Sequence, residues 1–254
     1  MNPIAFEIGP LQIRYYGVMA AIGFLAAAFI INFNRKEAKM NNDQVSNLLF
    51  VTLISGILGA RLFYVIQFFD YYRNDLWKII RIDQGGLVFY GGLLAVPAIY
   101  LFCRLQKLDF LRVLDIVAPA LLFSHACGRI GCFLNGCCYG KITDSVLGVT
   151  PPPDSELYIR TGGAAVHPVQ IYETVENLLF FAVLMWVVRK GRRGMSLGCY
   201  LAGYGLLRFI NEFFRGDNYR FFDTFTIAQL IGVVLMPLGL ALIGYSYYAG
   251  KREN

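Results

Sequence analysis

His125-Ala126-Cys127-Gly128-Arg129-Ile130-Gly131-Cys132-Phe133-Leu134-Asn135-Gly136-Cys137-Cys138-Tyr139-Gly140 begins in an apolar run and ends in a polar, glycine-rich turn. It carries an arginine, an asparagine, four cysteines and four glycines. A lipid-facing helix does not tolerate that set. An ionisable residue at membrane depth is costly and faces a polar cavity or a partner, which makes Arg129 a functional-site candidate. Glycines permit non-helical backbone, and hydrocarbon allows such backbone only where protein or water covers it. The stretch therefore reads as the floor of a polar pocket inside a membrane protein.

The rest of the chain supports that setting. Hydrophobic residues make up 57% and charged residues only 16%, and the mean hydropathy is +0.52. These values belong to polytopic membrane proteins rather than soluble enzymes. Met1 to Pro10 lack the basic region and cleavage site of a secretory signal, so no removed leader is expected. The net charge of +6 comes from bases spread over short loops, with no continuous basic stripe interleaved with aromatics. Topology accounts for it better than nucleic-acid binding does.

A membrane crossing needs about 20 mainly apolar residues. About seven such segments are predicted, near Ile13–Phe33, Val45–Phe69, Leu87–Phe102, Leu111–Cys127, Pro168–Val188, Ser196–Phe214 and Phe225–Ala249. The fold class is therefore all-α, a single transmembrane helical bundle over residues 1–254. Odd-numbered loops and the C-terminus hold twelve bases, including Arg189, Lys190, Arg192 and Arg193, against eight on the opposite side. Basic short loops stay cytoplasmic, which places the N-terminus outside and the C-terminus in the cytoplasm. On the outer side, Asp70–Gln84 reads as an interfacial amphipathic arm over 70–84. Lys141–Val166, with Pro151-Pro152-Pro153 and Gly162-Gly163, reads as an outer loop over 141–166 with little regular structure.

Three arginines fall within or at the ends of predicted spans: Arg61, Arg129 and Arg208. A guanidinium offers planar bidentate donors to phosphate, so an anion site is one reading. Structural ion pairing with Asp115, Glu173, Glu176 or Glu212 is the other. Arg208 and Glu212 are four apart and share a helix face, as do Asn211 and Arg215. Tyr90 stands between Gly85-Gly86 and Gly91-Gly92; the glycines serve close helix approach or open space around its hydroxyl. His167 sits before Pro168 at the outer rim, and Glu173 lies deeper and needs a partner.

With these pieces in order, the chain resembles the prolipoprotein diacylglyceryl transferase family over nearly its whole length. The resemblance rests on Arg14-Tyr15-Tyr16-Gly17, Gly59-Ala60-Arg61, the glycine box around Tyr90, and Gly128-Arg129-Ile130-Gly131 through Asn135-Gly136 to Gly140. It continues in His167-Pro168 with Gln170 and Tyr172-Glu173, and in Gly203-Tyr204-Gly205 with Arg208 and Glu212-Phe213-Phe214-Arg215. It implies a multi-pass enzyme of the bacterial inner membrane without a cofactor. That enzyme moves the diacylglyceryl group of phosphatidylglycerol to the lipobox cysteine thiol of a prolipoprotein, the first step of lipoprotein maturation, and releases glycerol phosphate. By position, the resemblance implies that Arg129 binds the lipid phosphate, that Arg208 and Glu212 line the catalytic cavity, and that Asn135 and Tyr16 hydrogen-bond within it. Arg61 and His167 are carried over as substrate-binding residues. Tyr90 occupies a position where many members have a histidine proposed as base, and tyrosine, with a reference pKa of about 10, is a weaker one near neutral pH.

The departure lies in the cysteines. Where the family commonly has Asn-Phe-Ile-Asn-Gly-Glu, this chain has Cys132-Phe133-Leu134-Asn135-Gly136-Cys137, followed by Cys138. The alternative function is accordingly a membrane metal-binding or redox protein using Cys127, Cys132, Cys137 and Cys138, with His125 as a further ligand. The spacing lacks paired C-x2-C ribbons, and small-residue packing or one disulfide also accounts for it. A transporter is a third class, without the broken-helix repeat pair such folds show.

Overall fold

The computed structural model describes residues 3–9, 11–73, 75–81, 86, 89–153, 155–190, 192–216, 220–221 and 225–252. It is mostly helical. The chain opens with an antiparallel hairpin, β1 (Ile4–Ile8) and β2 (Leu11–Arg14), turning at Gly9 with φ +58°. Helices follow as α1 (Tyr15–Asn34), α2 (Asn42–Gln67), the single turn α3 (Phe69–Tyr72), α4 (Ala95–Leu105) and α5 (Phe110–Asn135). After them come α6 (Glu156–Thr161), α7 (Val169–Val188), α8 (Met195–Asn211), the two-residue strands β3 (Arg220–Phe221) and β4 (Phe225–Thr226), and α9 (Ile227–Arg252). The two small hairpins add to the all-α expectation. The first has a visible cause, since Ile4, Phe6 and Ile8 alternate with other residues up to a glycine turn.

Among the described residues, five helices are long and apolar enough to cross a membrane, those over 15–38, 42–67, 110–135, 169–188 and 227–249. Their outward faces are oily: Leu25, Phe29, Leu179, Trp186 and Leu240 each expose more than 60% of their surface. Water would penalise such faces and lipid does not. The other two expected crossings form shorter helices, α4, preceded by a 3-10 turn over Phe89–Leu94, and α8 at 17 residues.

The chain divides into two compact units, residues 38–113 and residues 1–37 with 114–254. In the smaller unit, α2 starts with a reciprocal capping box: Asn41 Oδ1 accepts from Gln44 N at 2.8 Å, and Gln44 Oε1 accepts from Asn41 N at 3.0 Å. Gly59 and Gly91 then lie backbone to backbone, so closely that a Cβ on either would collide with the other's carbonyl oxygen. The glycines beside Tyr90 thus serve close approach at Gly91. The Tyr90 side chain itself lies outside the described residues. Over 70–84 the described residues form the end of α3 and a 3-10 turn, Leu76–Ile79, with residues 74 and 82–84 outside the described residues. Leu76, Trp77 and Ile80 are exposed along it.

In the larger unit, α8 and α9 pack through small residues. A Cβ on Gly239 would lie 2.4 Å from Ala202 N, and one on Gly205 would lie 3.0 Å from Gly232 O. Where lipid replaces water, such close backbone packing supplies much of the helix association. The N-terminus of α8 is held by Asp115, which accepts from Gly194 N at 2.6 Å and Leu197 N at 2.8 Å. A carboxylate suits the positive end of a helix dipole. The loop over 141–166 is more ordered than its composition suggests. Thr143 N donates to Ala165 O, Val149 and Val166 exchange backbone bonds, and α6 is capped by Ser155. Leu157 and Val166 are buried within it.

Candidate active site

The site grows from the C-terminal half of α5. His125 and Arg129 lie one turn apart on the same face, and the helix ends at Asn135 because Gly136 adopts φ +69°. Cys137 N then reaches back to Cys132 O and Gly136 N to Phe133 O, the paired bonds of a Schellman stop. Gln170, fully buried near the start of α7, donates from its amide to Cys137 O at 2.7 Å. Backbone bonds from Gly140 N to His167 O, Lys141 N to Phe214 O and Gly216 N to Tyr139 O tie the turn to the neighbouring helix ends. Gly140 has no room for a side chain, since a Cβ there would lie 2.6 Å from the His167 Cβ.

Glu173, one turn after Gln170 on α7, is the hub of this region. Its carboxylate lies 2.5 Å from Arg129 Nε, 3.2 Å from Arg208 Nη1 and 3.9 Å from Arg215 Nη1. Arg208 Nη2 also pairs with Glu212 at 3.1 Å. All five side chains are largely enclosed, with Glu173 at 4% and Arg208, the most open, at 16% exposure. Three guanidinium groups face the Glu173 and Glu212 carboxylates. His125 Nε2 lies 3.1 Å from Arg129 Nε. Tyr204 packs its ring against that imidazole at 5.5 Å, and Asn211 donates to Glu176 at 2.5 Å. Such a cluster is built for an anion: its fixed cations, in a site of low dielectric, hold negative charge without reorganising.

The cysteine turn borders the same cluster. The Sγ atoms of Cys132, Cys137 and Cys138 all lie within 4.8 Å of one another, and the cysteines are thiols. The Cys137 thiol donates to Cys132 O at 3.7 Å. Cys127 is not part of this group, because it packs at α1, where a Cβ on Gly23 would touch its own at 3.3 Å.

Of the residues singled out from sequence, Arg129, Arg208 and Glu212 meet in one cluster. Asn135 ends α5 with its amide at the Cys137 thiol. Tyr16, half-exposed, packs with its neighbour Met19 on Gly131, whose added Cβ would meet the Tyr16 Cα at 3.2 Å. His167 is paired with Tyr172, Nδ1 to hydroxyl at 3.2 Å, and stacks edge-on to Phe214. Arg61 belongs to the smaller unit. There its guanidinium donates to the carbonyls of Lys78, Ile79, Arg81 and Gly86, beside a cavity of about 310 Å³ lined by Tyr64, Tyr71, Tyr72 and Lys78. The four-apart pairing of Arg208 with Glu212 holds, whereas Asn211 and Arg215 turn to Glu176 and Glu173. The central role of Glu173 and the presence of His125 beside Arg129 were not singled out from sequence as site features. An intramembrane carboxylate four residues after a helix-starting Pro-Val is the one signal that pointed there.

Residues 3–245 match the family model described as prolipoprotein diacylglyceryl transferase. The chain belongs to this family. It is 37% identical over 265 residues to the phosphatidylglycerol--prolipoprotein diacylglyceryl transferase of Pseudoalteromonas translucida (strain TAC 125), covering 100% of this chain and 96% of the relative. The enzyme of the same name from Pasteurella multocida (strain Pm70) is 35% identical, covering 99% and 95%. That from Streptococcus pneumoniae serotype 4 is 34% identical, covering 100% of both. A family of membrane enzymes and five apolar helices together make this chain a multi-pass membrane protein.

Proposed function

We propose that the protein transfers the diacylglyceryl group of phosphatidylglycerol to the lipobox cysteine thiol of prolipoproteins in the bacterial cytoplasmic (inner) membrane. The observation that carries this reading is the convergence of Arg129, Arg208 and Arg215 on Glu173. In the reaction the acceptor sulfur attacks the glyceryl carbon that bears the phosphate, and glycerol phosphate leaves with the bonding pair. Negative charge grows on the leaving phosphate, and preorganised guanidinium groups stabilise charge that develops there. Arg129 pairs through Nε, which is the geometry that leaves bidentate recognition to its terminal nitrogens. Arg208, fixed between Glu173 and Glu212, is the second cation at the phosphate.

The remaining roles follow the same reading. Asn135 and Tyr16 hydrogen-bond to the reacting groups beside the turn that follows α5, and Tyr90 is the side chain nearest in role to a base. His167 holds the rim of the site with Tyr172. Arg61 acts on substrate entry through the arm it clasps. The membrane domain crosses about seven times, α4 and α8 completing the set, with the N-terminus outside, the C-terminus cytoplasmic, and the arm over 70–84 and loop over 141–166 on the outer side.

The test is transfer of labelled diacylglyceryl from phosphatidylglycerol to a lipobox peptide by the purified protein in lipid. Label should enter the peptide and be lost with Arg129→Ala. No transfer by a folded, lipid-reconstituted wild type overturns the substrate assignment.

A further inference from the structure

The transferase reading leaves three thiols unexplained. Cys132, Cys137 and Cys138 converge at the turn that ends α5. Two left-handed residues make the convergence, Gly136 at φ +69° and Cys138 at φ +62°. For a side chain that conformation costs on the order of 1 kcal/mol, and cysteine lacks the short polar group with which asparagine offsets it. The turn is then locked by Gln170 on Cys137 O and by Cys137 N on Cys132 O. A buried glutamine and a strained backbone together hold three sulfurs within 4.8 Å of one another.

We propose that Cys132, Cys137 and Cys138 form a three-thiolate site for one zinc ion, whose fourth position takes the acceptor cysteine thiol. This rests on the transferase reading above. Tetrahedral zinc binds thiolate at about 2.3 Å, which places its sulfurs about 3.8 Å apart, so the observed triangle closes on an ion by a shift of about 1 Å at most. Three thiolates and a divalent ion carry one net negative charge, and Arg129 and Arg215 stand beside the cluster to balance it. Three protein ligands with one open position is the pattern of reactive zinc sites rather than structural ones.

The open position answers the question of the acceptor proton. A thiol that coordinates zinc is deprotonated outright. The incoming cysteine displaces a zinc-bound water and gives its proton to solvent. Its sulfur pair then forms the bond to the phosphate-bearing glyceryl carbon, the carbon–oxygen bond breaks, and glycerol phosphate departs with that pair toward the guanidinium groups. The thioether product, uncharged and a weaker ligand, leaves the ion, and water returns. No oxidant or reductant is needed.

Full-length protein reconstituted in lipid is loaded with zinc, or with cobalt as a spectroscopic substitute, and its metal content is measured. The wild type should hold one ion per chain and the Cys132→Ser, Cys137→Ser, Cys138→Ser triple variant none. Cobalt in the wild type should show thiolate charge-transfer and tetrahedral ligand-field bands, a result that stands even if the triple variant fails to fold. A lipobox peptide with cysteine should change those bands, and the same peptide with serine should not. Stripping the metal should lower transfer by roughly 10²-fold, the scale of an activated proton transfer, and zinc should restore it. A wild type that takes up no zinc or cobalt overturns the site, as does full transfer by metal-free protein, which leaves the transferase reading intact. Metal and peptide signals without any transfer from phosphatidylglycerol would instead keep the thiol site and sink the lipid substrate.

Discussion

Glu173 is a single carboxylate asked to hold three guanidinium groups inside a membrane protein. Removing one partner of a buried ion pair leaves the others uncompensated, at about 3–5 kcal/mol. Glu173→Gln should therefore lower the thermal unfolding temperature of the purified protein and cut transfer at least as deeply as loss of one arginine. Glu173→Asp, which keeps the charge but shortens the reach, should recover part of both. An unfolding temperature equal to wild type in the glutamine variant would mean that the arginines are not held by this carboxylate. The residue-level signals in the sequence were uneven. Arg129 and Arg208 announced themselves because a base in an apolar run has few explanations. Glu173 was visible as a residue needing a partner, but its choice among three arginines was not.

At the level of helices, the α8–α9 pair depends on absent side chains. Gly239 lies against Ala202 N and Gly198 O, whereas Gly244, on the same helix, has no neighbour where its Cβ would stand. Gly239→Ala should destabilise the protein by about 1–3 kcal/mol through overpacking. Gly244→Ala should be neutral or stabilising by up to about 1 kcal/mol, because alanine is the better helix former. Comparing the two unfolding temperatures checks the contact, and equal effects would argue against it. The position of most helices was legible because apolar length is a local property of sequence. Their ends were less so. Leu76–Ile79 of the arm forms a 3-10 turn whose Ile79 carbonyl accepts from Arg61, and the loop over 141–166 gains α6 and the backbone pairing of Val149 with Val166. Neither contact is between sequence neighbours.

For the molecule as a whole, the charge asymmetry of the loops sets the expected orientation. A fluorescent protein fused to the C-terminus should fold and fluoresce in cells, and alkaline phosphatase fused there should be inactive; the opposite pair of results would invert the topology. Composition and hydropathy by themselves made this a helical membrane protein, and the order of its short motifs resembled one family, because both are written in residues close together along the chain. Tertiary structure alone decided that Arg129, Arg208, Arg215 and Glu173 share one site, that Arg61 belongs to the arm, and that three of four clustered cysteines meet while Cys127 packs at α1. Those outcomes depend on how each helix is rotated and where it stops. Rotation and termination are set by close packing at glycines and by buried polar pairs, and such contacts join residues far apart in sequence.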